Sequence, residues 1–192
     1  MGLKKKLRPS IKARIRKMGI KRKLNPIKAH IKKNKEIIDQ NIGNFFDWIK
    51  GAELIELEKC NTNEDPVRPE LDNEFRNSNG RKIFGLKYNN EIEGVVCIAF
   101  TNELPATVKE LDLMSVNEDN SQIAIAYTLW SLKKGAGKKI MKELLKYMKK
   151  QNNIDSIMTL SPLTPVATHY HIRNGAKLIK INPTTQNFEY KI

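Results

Sequence analysis

The order of elements along the chain predicts an α/β fold with a mixed central sheet and helices on both faces. Two apolar runs joined by Asn89-Asn90 come first and read as a hairpin. A strand, a glycine-containing turn, a helix and a second strand then follow between Gln122 and Thr159, the pattern of a parallel crossover. Two closing strands complete the sheet.

Taken in order, the first 34 residues hold Lys4-Lys5-Lys6, Arg14-Ile15-Arg16-Lys17 and Lys21-Arg22-Lys23, interrupted by Pro9, Gly19 and Pro26. Helices there are expected to be short, because proline removes a backbone donor and crowds the preceding turn. From Lys35, Ile37, Ile38, Ile42, Phe45, Phe46 and Ile49 recur at helical spacing and predict an amphipathic helix closed by Gly51. Residues 61–72, with Pro66 and Pro69 among polar neighbours, read as a loop. Residues 83–88 and 93–101 are strands, 106–111 a short helical segment, and 122–130 a third strand. The clearest helix spans 138–150, with Ile140, Met141, Leu144, Leu145 and Met148 as its buried stripe and lysines on its other faces. A strand over 154–159, a short helix over 168–173 and strands over 176–181 and 188–192 finish the chain.

The formal charge of +14 invites a nucleic-acid reading, but its distribution argues otherwise. Residues 1–34 carry 14 Lys and Arg and no acidic residue, leaving 21 basic against all 21 acidic residues in the remainder. The expected organisation is therefore a flexible basic arm, 1–34, and an electrically balanced domain, 35–192. The arm suits an acidic protein surface, nucleic acid or anionic lipid, or no specific partner at all. Cys60 and Cys97 lack the spacing of a disulfide framework or a zinc site, and Cys97 sits in an apolar run that reads as core. No apolar stretch approaches the roughly 18 residues of a membrane span, and no secretory leader is recognisable. A soluble, cytoplasmic protein is expected. An organellar transit peptide is the alternative for an acid-free N-terminus, although this one is rich in Lys and poor in Ser.

The chemistry concentrates in two blocks. In the first, Lys133-Lys134-Gly135-Ala136-Gly137-Lys138 joins a strand to the best helix. Such a turn presents backbone N–H groups, a positive helix end and side-chain cations to one phosphate-sized object, and glycines allow close approach. No Gly-Lys-Ser/Thr follows, so it is not a nucleotide-triphosphate loop, and the third glycine of a dinucleotide fingerprint is missing. The spacing is also compatible with a plain tight turn. In the second block, Thr159-Leu160-Ser161-Pro162 leads to His169-Tyr170-His171-Ile172-Arg173-Asn174-Gly175-Ala176, which brings an imidazole to the same region.

On these residues the chain resembles the GNAT superfamily, whose pyrophosphate loop has the pattern Gln/Arg-x-x-Gly-x-Gly/Ala; Gly135 and Gly137 match it and Leu132 departs from it. Residues 80–182 more narrowly resemble the catalytic domain of malonyl-CoA decarboxylases. The stretches that carry this are Arg81-Lys82-Ile83-Phe84-Gly85, residues 95–101 with Leu104-Pro105-Ala106-Thr107-Val108, Ile125-Ala126-Tyr127-Thr128, Thr159-Leu160-Ser161-Pro162, and the block from His171 to Leu178 ending at Ile181-Asn182. The family's helical N-terminal domain has no counterpart here, and the segment before the histidine block is much shorter.

The resemblance implies a GNAT-type acyl-CoA-binding fold, with a coenzyme A thioester as substrate and no permanently bound cofactor or metal. Its pyrophosphate would lie on Lys133, Lys134, Gly135, Ala136, Gly137 and Lys138. It implies that His171 is the catalytic histidine. The family's catalytic serine falls in the strand end, where an ungapped alignment places Trp130 and a one-residue shift places Ser131; Thr128 is a further candidate. An N-acetyltransferase is the second reading, with Tyr170 protonating the departing thiolate and Glu103 near enough in sequence to serve as base. A non-catalytic binding protein of the same fold is the third. His169, two residues from His171, belongs to another helix face and reads as structural.

Overall fold

The structure is a computed structural model that describes the backbone from Ile11 to Ile192 and side chains from Ala29 onward. Lys4-Lys5-Lys6 and Pro9 lie outside the described residues. Compactness divides the chain into a unit ending at Lys50 and a unit spanning Gly51–Ile192.

The first unit is built on helix α1 (Ile11–Gly51), continuous for 41 residues where shorter pieces are expected; the helix ends at Gly51 as the sequence predicts. Pro26 removes one N–H, but the Lys- and Arg-rich stretch before it and the Lys-rich stretch after it favour helix strongly enough to continue through it. The expected domain start at Lys35 falls inside this helix. Among the described residues, no helix is long and apolar enough to cross a membrane.

The second unit is an eight-stranded mixed sheet with helices on both faces, as predicted. Its strands are β1 (Glu53–Leu57), β2 (Lys82–Tyr88), β3 (Glu91–Thr101), β4 (Ile123–Ser131), β5 (Ser156–Thr159), the two-residue β6 (Ser161–Pro162), β7 (Lys177–Ile181) and β8 (Thr185–Lys191). The order is β1-β2-β3-β4-β5-β8-β6, with β7 on β8. Asn89 and Asn90 both adopt positive φ, 48° and 65°, the geometry that a two-residue hairpin between right-twisted strands requires. Strands β3 and β4 are antiparallel neighbours, and β4 and β5 are parallel, with the crossover helix α4 (Ala136–Met148) between them in sequence.

Alternation sorts the core into two layers. Ile83, Val95, Cys97, Ile125, Tyr127 and Trp130 pack together with Leu111 and Phe75. The last two belong to α3 (Val108–Met114) and α2 (Asn73–Asn77), which cover that face. On the other face Phe84 meets Tyr147 of α4 at 5.1 Å between ring centroids. There α4 buries Ile140, Met141, Leu144 and Met148, while Glu143 holds Lys139 and Lys146 at 2.8 and 2.9 Å. Helix α5 (Pro165–Arg173) starts three residues earlier than expected, because Thr164 caps it and Pro165 has the fixed φ suited to a first helical position.

Two features of β4 prepare the site. A bulge at Tyr127 puts Ala126 and Thr128 opposite the consecutive residues Ile98 and Cys97 of β3. The parallel pairing with β5 ends at Ala126 and Thr159, so β4 runs on to Ser131 while the other strand turns away into β6. The sheet splits there.

Candidate active site

A pocket of about 500 Å³ opens at this split. Residues 126–131 of β4 form one wall, and Ser161, Pro162 and α5 form the other. Gly137 and Met141 at the start of α4 border it, as do Pro66 and Val67 from the loop after β1. Its size and apolar lining suit a small organic group. Thr128, Ser131, Gly137, Tyr170 and His171 all meet here.

His171 lies on α5, buried, with its ring stacked on Phe188 at 4.8 Å. Its Nε2 is 2.7 Å from Ser161 Oγ and its Nδ1 is 2.9 Å from the Tyr190 hydroxyl. Ser161 also donates to Thr159 Oγ1 at 3.1 Å. A phenol that donates to Nδ1 leaves the proton on Nε2, directed at Ser161; the opposite tautomer makes Nε2 an acceptor for the serine proton. Burial pushes His171 down to about 4, so the imidazole is neutral at pH 7. Burial also raises the Tyr190 hydroxyl above the ordinary tyrosine range, so it too stays protonated. The result is a chain of neutral hydrogen-bonding groups that can lend or accept a proton at Ser161 Oγ.

The hydroxyl beside His171 is thus Ser161, which the motif contained but sequence reasoning assigned no role. Thr128 is engaged elsewhere: its hydroxyl lies 2.8 Å from both carboxylate oxygens of the fully buried Asp65. Ser131 sits exposed at the end of β4, on the pocket margin. The Tyr170 hydroxyl donates to Gly137 C=O at 2.8 Å, which ties α5 to the start of α4. Glu103 is exposed and outside the pocket lining, and His169 is exposed on another side of α5.

In the glycine turn, Gly135 takes φ +91° and precedes α4 without a side-chain cap. Ala136 N–H turns back to Lys133 C=O at 3.1 Å, which leaves the following first-turn amides directed out of the helix end. Ala136 and Gly137 are buried, while Lys134 and Lys138 are exposed. Lys133 does not simply face a ligand, because its Nζ pairs with Glu93 Oε1 at 2.5 Å.

No family model matches the chain, and no curated protein matches it by sequence. Solved structures do match by shape. Malonyl-CoA decarboxylase from Agrobacterium vitis superposes with a TM-score of 0.64 at 13% identity, covering 82% of this chain and 65% of that one. The enzyme of the same name from Rhodopseudomonas palustris gives 0.62 at 16%, covering 88% and 67%. The loading GNATL domain of CurA from Lyngbya majuscula gives 0.56 at 13%, covering 73% of this chain and 97% of that domain.

The fold is of the GNAT type. It resembles the malonyl-CoA decarboxylases, as the motifs predict, and the chain spans about two thirds of the length of the two decarboxylases. Within this GNAT-type fold the split between β4 and β5 and the start of α4 face one pocket.

Sequence reasoning missed Asp65, Arg68, Ser161 and Tyr190. For Ser161 the recognised stretch Thr159-Leu160-Ser161-Pro162 was a readable signal, and the start of α5 was a second. The cap-and-proline pair Thr164-Pro165 sets the helix start, and this fixes which residues of α5 can turn toward Ser161.

Proposed function

We propose that the protein is an acyl-CoA-dependent enzyme that decarboxylates malonyl-CoA, or a related carboxyacyl-CoA, to acetyl-CoA and carbon dioxide. The observation that carries this reading is the Ser161–His171–Tyr190 array bordering an apolar pocket. In such a reaction the bond to the carboxyl carbon breaks and its electron pair enters the thioester as an enolate. Carbon dioxide leaves, and one proton is taken up at the α-carbon. A site for this needs a donor to the enolate oxygen and a route for the proton, not a strong base. Ser161 and neutral His171 supply both, and the apolar walls favour loss of the charged carboxylate as carbon dioxide.

A transferase reading is supported by one feature, the Tyr170 hydroxyl beside Gly137, where a departing thiolate could take its proton. Product analysis separates the two. Incubation with malonyl-CoA and no acceptor is expected to yield acetyl-CoA by mass. Free coenzyme A released from acetyl-CoA only when an amine is present, with malonyl-CoA untouched, would establish the transferase instead.

The ligand's pyrophosphate is assigned to the turn from Lys133 to Lys138. Gly135→Glu places a carboxylate there, on a residue whose φ of +91° disfavours any side chain. Coenzyme A affinity by calorimetry is expected to fall about tenfold or more. Equal affinity in variant and wild type would move the phosphate site elsewhere.

A further inference from the structure

The bulge at Tyr127 and the end of the β4–β5 pairing leave two backbone carbonyls facing a gap rather than a ladder. Leu160 N–H makes the last bond across, to Ala126 C=O at 3.1 Å. Beyond it, the Arg68 guanidinium reaches both strands. Its Nη1 donates to Tyr127 C=O, and its Nη2 donates to Leu160 C=O at 2.9 Å. These carbonyls belong to the residues immediately before Thr128 and Ser161. One planar fork therefore spans the split at the place where each wall begins to carry polar side chains.

The fork is itself fixed. Arg68 is buried, and its N–H donates to Asp65 Oδ1 at 3.1 Å, as does Val67 N–H at 2.9 Å. Asp65 in turn accepts Thr128 and Arg76. Pro66 and Val67, between these anchors, form part of the pocket wall. A guanidinium holds two acceptors at one separation because its donors are rigid and coplanar, whereas an ammonium on a flexible stem does not.

We infer that Arg68 is a positioning residue that sets the width of the β4–β5 split and thereby holds Ser161 Oγ against His171 Nε2. The inference rests on the reading of that pair as the reacting groups. Arg68 acts through the backbone and does not touch substrate.

Arg68→Lys keeps the charge that Asp65 faces and removes the fork. It is expected to stay folded and to bind coenzyme A within about twofold of wild type. Its kcat for malonyl-CoA should drop about 10- to 100-fold, with KM within about threefold, as a small displacement of reacting groups does. The ring ¹⁵N signals of His171 should move as its bond to Ser161 lengthens. Unchanged ¹⁵N signals in the folded variant overturn the inference. If wild type does not consume malonyl-CoA, the decarboxylase reading falls, and the ¹⁵N signals still decide the positioning role. Should Arg68→Lys fail to fold, Arg68→Gln takes its place; loss of the fold in both makes Arg68 a strut of the core and overturns the inference as well.

Discussion

Substituting His171 by Gln is expected to lower malonyl-CoA decarboxylation by about 10²- to 10⁴-fold and to leave coenzyme A affinity nearly unchanged. The amide can still bond to Ser161 or to Tyr190, but it cannot pass a proton between them. The proposed pyrophosphate site is at the start of α4, not on α5, which is why binding should survive. Turnover within about twofold of wild type in a folded variant would remove His171 from the chemistry. The same variant tests the burial of the ring. Folded His171 titrates at about 4, against 6.5 for the ordinary side chain. Between those limits the unfolded chain holds a proton that the folded chain does not. The associated stability is complete above pH 6.5 and is lost as the pH falls toward 4. Urea unfolding at pH 7 and pH 4.5 should show wild type losing on the order of 2 kcal/mol more than His171→Gln over that interval.

The largest effect on stability is expected from Asp65→Asn, a loss of about 3–5 kcal/mol measured by urea or thermal unfolding. Asp65 and Arg76 are both fully buried and pair at 2.9 Å. Arg76 also donates to the Arg68 and Leu71 carbonyls and lies over Trp130 at 5.5 Å. Asparagine preserves the shape but leaves the Arg68 and Arg76 guanidiniums together without the carboxylate they face. Adding Arg76→Met to Asp65→Asn should recover part of the loss, since it removes one of the uncompensated charges. A single substitution that unfolds at the wild-type midpoint would show that the network is not holding the loop.

The fold was legible where local pattern and tertiary role coincide. The lysine-covered stripe of α4, the Asn89-Asn90 turn and the unbroken apolar run of β3 each declare an element without help from distant residues. Strand β1 did not declare itself, because three of its five residues are half-buried and its glutamates face solvent, which dilutes the alternation. The pocket was legible in position, through the glycine turn and the histidine block, but not in its connections. Ser161 lay inside a recognised stretch, yet its neighbour His171 is supplied by a chain reversal through α5. The contacts of residues 65–76 are harder still. Arg68 reaches carbonyls 59 and 92 positions away, and Thr128 finds Asp65 63 positions back. Periodicity carries no information about partners at that separation, and a proline-containing polar segment reads as a surface loop even when it supplies the buried charges.

Tyr190 lies in β8, two residues before Ile192, and β8 pairs with β5, β6 and β7. The imidazole's second partner therefore arrives with β8, after the residues that line the pocket have been synthesised. During synthesis, in which earlier segments fold first, β5 must wait with one edge unpaired, and the pairing that closes it spans some 30 positions of sequence. Contacts of that range close slowly. A nascent chain would thus pass through a state with most of its sheet formed and His171 Nδ1 still without its tyrosine partner.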